Sequence, residues 1–385
     1  RMRGLFSVIL CVGTAAVVQG NPEKADRVRG AVHGALIADA LCLGSHYEYD
    51  APKIKKAYGG QVIDKFLSPG EYMGGQTHGV GWGARKYHPG KTAGGNTDYG
   101  DANLYLLEWL GLAYSKKEHS PFSIEKYVNE YWRKLYQGRQ TGKCRACNAW
   151  IDTMTKTTTD NLDKGVPLAQ AGGMSNAQIV RFAGALAVYE TEDELVQVAR
   201  KSTEFTNRNP QPIDASEFWA RVVFNVLNGK DLEESIRAAA DSSASPFIKS
   251  KVQQAIDKVK EATDPSGSLS KEEFVDDLAL TSMARLWEVG KTEPIKVGKA
   301  SPTEGTLPGA VYFILKYKEF KAAVQANAMV GGDNASRSIP VGMVLGAWQG
   351  MHGIPKEWAA TLTEGKHVDE ILDKLPVTAG GKAEL

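Results

Sequence analysis

Cysteine is scarce in this chain of 385 residues, which has four, and Cys144-Arg145-Ala146-Cys147 is its one CxxC. With no second CxxC a four-cysteine zinc site is excluded, and no βαβ pattern surrounds the pair to make it redox-active. The two thiols predict a small structural disulfide in an oxidising compartment. Cys42 lies on an apolar helical stripe and is expected to be buried. A charge imbalance is lacking too. Lys+Arg 46 against Asp+Glu 45 leaves a net charge of +1, so nothing steers the protein to nucleic acid or anionic lipid. Strand signals are missing, since no alternating β-branched runs are joined by Asn-Gly or Asp-Gly turns. A calcium loop is only echoed at 264–273. Counting back from Glu273 as the twelfth ligand puts Ala262 where the first acid belongs.

What is present begins with an apolar run from Leu5 to Val18, preceded by Arg1 and Arg3 and followed by Gln19-Gly20. That layout predicts a secretory signal peptide over 1–20 and a secreted protein, with an uncleaved anchor as the competing reading. Beyond it, apolar residues recur at helical spacing. Helices are expected at 22–43, 97–114, 150–162, 177–189, 194–205, 212–227, 232–240, 247–262, 307–317, 320–328, 339–348, 356–363 and 368–375. Another opens at Ser120-Pro121, with Pro121 at the first helical position, and ends at Gly138. The pattern predicts one all-α domain over 24–376 with a frayed tail at 377–385. Gly30 and Gly34, four apart, predict a second helix packed closely on the first. Between 59 and 95 the chain reads as a long loop holding Tyr72, His78, Trp82, Tyr87 and His88, of a length that is usually functional when ordered.

Two stretches far apart look alike. Gly94-Gly95-Asn96-Thr97-Asp98-Tyr99-Gly100-Asp101 opens one helix and Gly331-Gly332-Asp333-Asn334-Ala335-Ser336 opens another. Asp, Asn, Ser and Thr at such places are ordinary N-caps. Paired glycines, acids and hydroxyls at two helix starts also suit a shared site for Mg²⁺ or a related hard cation. Asp39 stands within the apolar stripe of the first helix, serving either a cap or that site.

The chain resembles the ADP-ribosylglycohydrolase superfamily, which includes the J-type lens crystallins. The resemblance runs from about Val28 to Trp358. It rests on Gly34-Ala35-Leu36-Ile37-Ala38-Asp39-Ala40-Leu41, the Thr97-Asp98 helix, Ala310 to Gly350, and Gly353-Ile354-Pro355 with Trp358. It implies an all-α orthogonal bundle with two Mg²⁺ ions in a cleft, and hydrolysis of a glycosidic bond of ADP-ribose. The ligand would be ADP-ribose-like, free or on an ADP-ribosylated protein, with no nucleic acid or membrane partner.

The family's Thr-Asp-Asp run is met by Thr97 and Asp98, with Tyr99 in place of the second acid. Its Asp-x-Asp-Thr/Ser run is met by Asp333 and Ser336, with Ala335 in place of an acid. Asp101, three residues from Asp98, is expected to compensate. The metal set is thus Thr97, Asp98, Asp101, Asp333 and Ser336. The family's catalytic glutamate falls on His46, or on Glu48 if the segment has shifted by two; His46 would act as a general base or simply pack. Asp152, Thr155 and Lys156 match a cleft-lining motif. The Asn334-Ala335-Ser336 sequon is expected to stay unmodified in such a cleft. Two functions follow: a Mg²⁺-dependent hydrolase with a weakened metal site, or a catalytically inactive crystallin-like structural or ligand-binding protein.

Overall fold

Helix α1 (Pro22–Cys42) and helix α15 (Asn334–Gln349) cross at four glycines and form the spine of the fold. A Cβ on Gly30 would lie 2.3 Å from the Gly346 oxygen, and one on Gly34 would lie 2.3 Å from that of Gly342. The expected close partner of the first helix is therefore α15. Side chains are buried on every face of both helices, which is why neither shows a clean amphipathic stripe.

The structure, a computed structural model, describes residues 22–71, 87–177, 179–286, 295–296 and 298–379. The expected signal peptide, Tyr72, His78, Trp82 and the last part of the expected tail lie outside them. Between the spine helices in sequence come α2 (Ala51–Ala57), α3 (Asp98–Ser115), α4 (Ile124–Lys126), α5 (Arg133–Leu135), α6 (Thr153–Asp163) and α7 (Leu168–Ala171). Then follow α8 (Glu192–Glu204), α9 (Pro210–Leu227), α10 (Leu232–Ser242), α11 (Pro246–Thr263), α12 (Val275–Met283), α13 (Thr303–Tyr317) and α14 (Phe320–Val330). After the spine come α16 (Lys356–Thr361) and α17 (Gly365–Leu372). Helices α3, α9, α13 and α14 pack directly on the spine, while α8 and α10 back onto α9 and α11 onto α13. One continuous apolar core joins them, so this is a single all-α domain. A two-residue antiparallel pair, β1 (Arg285–Leu286) with β2 (Ile295–Lys296), is a minor addition.

Several boundaries differ from expectation for local reasons. Ser123, not Pro121, starts the 124–135 helix, because its hydroxyl accepts the Lys126 N–H at 3.2 Å. The described residues of 177–189 form no α-helix, only a short 3₁₀ turn at Ala183–Ala187. Side chains from elsewhere take over its backbone groups. Asn103 donates to the Val180 oxygen and accepts from the Ala183 N–H, Thr203 donates to Ile179 O, and Asn207 to Ala177 O. The tail is not frayed at its start either. Val377 and Thr378 are buried, and the Thr378 oxygen accepts a bond from Arg29 at 3.2 Å. Cys144 and Cys147 form a disulfide, and Cys42 is a buried free thiol whose titration burial pushes upward. The 264–273 segment is a turn in which Asp264 accepts from Ser266, while Glu273 pairs with Lys55; among the described residues it is part of no cluster of ligating side chains.

Candidate functional site

Helix α3 is fastened to α1 through Asp39. The Thr97 hydroxyl donates to one carboxylate oxygen at 2.6 Å, and the Thr97 N–H and Asn96 amide donate to the other at 2.7 and 3.1 Å. Thr97 is also the N-cap of α3, accepting the Tyr99 N–H at 3.2 Å. Burial pushes the Asp39 carboxyl up to about 7 despite these bonds, which act to lower it. The acid in the apolar stripe thus serves to hold the start of α3, and α3 in turn points Asp98 and Tyr99 toward α15.

The start of α15 is built by Gly331 and Gly332, at φ +71° and +68°. There a Cβ would meet the Glu48 and Lys299 oxygens at 2.1 and 2.2 Å, so only glycine fits. The Gly332 N–H donates to Glu48 O at 2.6 Å and the Tyr47 N–H to Gly332 O at 2.8 Å, which ties residues 46–48 to this turn. Asp333 then caps α15, accepting the Ser336 N–H at 3.2 Å on Oδ1, while its Oδ2 accepts the Tyr99 hydroxyl at 2.8 Å. Arg337 lies fully buried beneath the turn, donating to Asn327 Oδ1, Lys299 O and Gly331 O. Burial pushes its guanidinium down to about 10 against the opposing pull of Asp333.

His46 and His88 close the site, both fully buried, with ring centroids 5.3 Å apart. The Asn334 amide donates through Nδ2 to Ser45 Oγ at 2.8 Å, so its Oδ1 faces His46 Nδ1 at 3.2 Å. His46 must therefore carry its proton on Nδ1 and present a bare Nε2. His88 accepts the Trp150 N–H on Nδ1 at 3.3 Å. Burial pushes both imidazoles toward the neutral form, His88 the more strongly. Burial, with Asp152, Asp333 and Asp39 nearby, pushes the Asp98 carboxyl well upward. Tyr47, in the left-handed region at φ +64°, lays its ring 3.8 Å from that of His46.

The expected site residues do not all converge. Asp98, Asp333 and His46 come to one place, where Ser336 gives its backbone N–H to Asp333 and Thr97 turns its hydroxyl to Asp39. Asp101 does not: both its oxygens are held by Lys91 at 2.6 and 2.8 Å. Glu48 is likewise spent on Lys53 at 2.8 Å and on the Asp50 N–H. Asp152 caps α6 and, with Thr155, lines the small cavity beside Asp98, while Lys156 sits over the Trp150 ring. Asn334 is buried with both amide atoms bonded, as the sequon expectation requires. His88, Asn334 as an orienting group, and the buried Arg181 lining the same cavity as Asp98 were not in the expected set. Position in the aromatic-rich loop was the one sequence signal for His88.

A pair of Mg²⁺ ions does not fit these residues. Mg²⁺ calls for several oxygens in octahedral array, yet Thr97 Oγ1 is directed at Asp39 and Asp101 at Lys91. Asp333 is bonded by Tyr99 and its own cap. Asp98 Oδ1 alone among these carboxylate oxygens is buried with no hydrogen-bond partner among the described residues. The cavity beside it measures about 20 Å³, room for one water and far below the several hundred Å³ of a nucleotide-sized pocket.

Comparison with known proteins agrees with this architecture. Residues 20–383 match the ADP-ribosylglycohydrolase family profile. Crystallin J1A of Tripedalia cystophora is 20% identical over 363 residues, covering 92% of this chain and 97% of that protein. Crystallin J1B of the same organism is 20% identical over 360 residues, covering 91% and 96%. A solved structure titled as an ADP-ribosylglycohydrolase-related protein complex superposes with a TM-score of 0.57 at 16% identity, over 93% of this chain and 99% of that one.

Proposed function

The chain belongs to the ADP-ribosylglycohydrolase family, and we propose that it keeps the family's fold without Mg²⁺-dependent hydrolysis, serving as a secreted, crystallin-like structural protein. The observation that carries this reading is the 2.8 Å bond from the Tyr99 hydroxyl to Asp333 Oδ2. Where the resemblance calls for a second metal-binding carboxylate, a phenol stands instead and occupies the remaining acid. The loss of Asp101 to Lys91 and of Glu48 to Lys53 supports the same conclusion. So does the likeness to two crystallins.

A ligand-binding role is the second reading. It is favoured by the half-buried Trp150, which lines the cavity beside Asp98 and is backed by the buried Tyr87 at a ring-centroid distance of 4.9 Å, an aromatic face on which a base could stack.

Calorimetry with Mg²⁺ and with ADP-ribose, each at millimolar concentration, tests both readings alongside an assay of ADP-ribose release from an ADP-ribosylated protein. The structural role predicts no heat from either ligand and no release. Heat from ADP-ribose without release would assign a binding protein. Mg²⁺-dependent release would overturn the proposal.

A further inference from the structure

We propose that His46, His88 and Asp98 form a binding site for one divalent transition-metal ion of the zinc type. The three side chains can each bring one ligand atom to within 4.8 Å of the other two. Among the described residues no other group of three His, Cys, Asp or Glu side chains gathers so closely. His46 Nε2, His88 Nε2 and Asp98 Oδ1 are all buried and all lack a hydrogen-bond partner among the described residues. Three buried polar atoms left without partners in one place are costly unless something bridges them. Two imidazole nitrogens and one carboxylate oxygen suit Zn²⁺, Co²⁺, Ni²⁺ or Fe²⁺ and not Mg²⁺.

The surroundings favour the same ion. His46 is set as a ligand by its Nδ1–H bond to Asn334 Oδ1, the outer contact that fixes the tautomer of a metal-bound histidine. Both rings present an Nε2 without a hydrogen-bond partner among the described residues, and imidazole nitrogen is a common ligand of such ions. A dication supplies the partner that the buried Asp98 Oδ1 lacks among the described residues. His88 needs one adjustment. Ligation through Nε2 moves its proton to Nδ1, which now accepts the Trp150 N–H. That bond is long, at 3.3 Å, and its loss is small beside the free energy of metal ligation. Zinc ligands at ~2.1 Å from the ion stand about 3.4 Å from one another, so the rings must also draw in slightly.

The test uses the full chain and the metals alone. Co²⁺ titrated into the metal-free protein is expected to give one equivalent of visible d–d absorption, displaced by Zn²⁺ and unaffected by millimolar Mg²⁺. His46→Ala and His88→Ala are each expected to weaken binding at least tenfold, while His352→Ala, at an exposed histidine, leaves it unchanged. Absence of stoichiometric Co²⁺ or Zn²⁺ binding to the parent chain would overturn the proposal, whatever the variants do. Equal binding by the His46→Ala, His88→Ala double variant would overturn it too, by assigning the metal to other groups. Neither outcome depends on whether ADP-ribose is bound or hydrolysed.

Discussion

Asp39 accepts three hydrogen bonds from Asn96 and Thr97 in a fully buried setting, and burial still lifts its carboxyl to about 7. Because the folded-state value lies above the unfolded one, the folded protein holds this proton more tightly. The associated stability is complete below about pH 4 and is lost as pH rises through about 7. A shift of this size corresponds to up to about 4 kcal/mol. Asp39→Asn keeps an acceptor for the Thr97 N–H and removes the titration. Urea unfolding from pH 4 to pH 8 should therefore show a steeper fall for the parent than for the variant; parallel profiles would refute the assignment. At this scale the sequence revealed the acids flanked by glycines, because such a pattern marks a helix start whatever surrounds it. It could not separate Asp98 from Asp101, or His46 from Glu48. What divides them is Lys91 and Lys53, cations whose reach depends on tertiary placement.

Elements are joined here by close approach as much as by side-chain interdigitation. Gly30 and Gly34 announced a tight partner, and α15 supplies Gly342 and Gly346 in return. A Cβ at Gly342 would stand 2.1 Å from the Gly34 oxygen, so Gly342→Ala has to push the two helices apart. Overpacking of this kind costs about 1–3 kcal/mol, or more where backbone must move. Chemical denaturation should register that loss, and a variant as stable as the parent would mean the spine yields freely. The 177–189 segment was illegible for the opposite reason. Its apolar spacing suits a helix, but Asn103, Thr203 and Asn207 bond its backbone in another conformation. Asn103→Ala strands the Val180 oxygen and the Ala183 N–H inside the protein. The expected cost is on the order of 3 kcal/mol, with faster hydrogen exchange at Ala183; unchanged exchange would show that the segment does not rely on Asn103.

Over the whole molecule, the two ends of the described chain meet. Arg29 on α1, 5% exposed, donates to Asp373, to Asp369 at 3.4 Å and to the Thr378 oxygen at 3.2 Å. Val377 donates its N–H to Ala187 O at 3.2 Å, and the Thr378 hydroxyl donates to Leu372 O. The all-α class and single core were legible because helical spacing is local and repeated many times. This closure was not, because a stretch beginning Thr378-Ala379-Gly380-Gly381 carries no periodicity and its anchor lies across the fold. Ending the chain at Pro376 would take away one acceptor of a buried cation, the burial of Val377 and the bond to Ala187. The loss should be on the order of 3 kcal/mol, read as a lower urea midpoint. Restoring Val377-Thr378-Ala379 alone should recover most of it. A truncated chain with the parent's midpoint would show that Arg29 is satisfied by Asp369 and Asp373 and that the segment merely rests against α1.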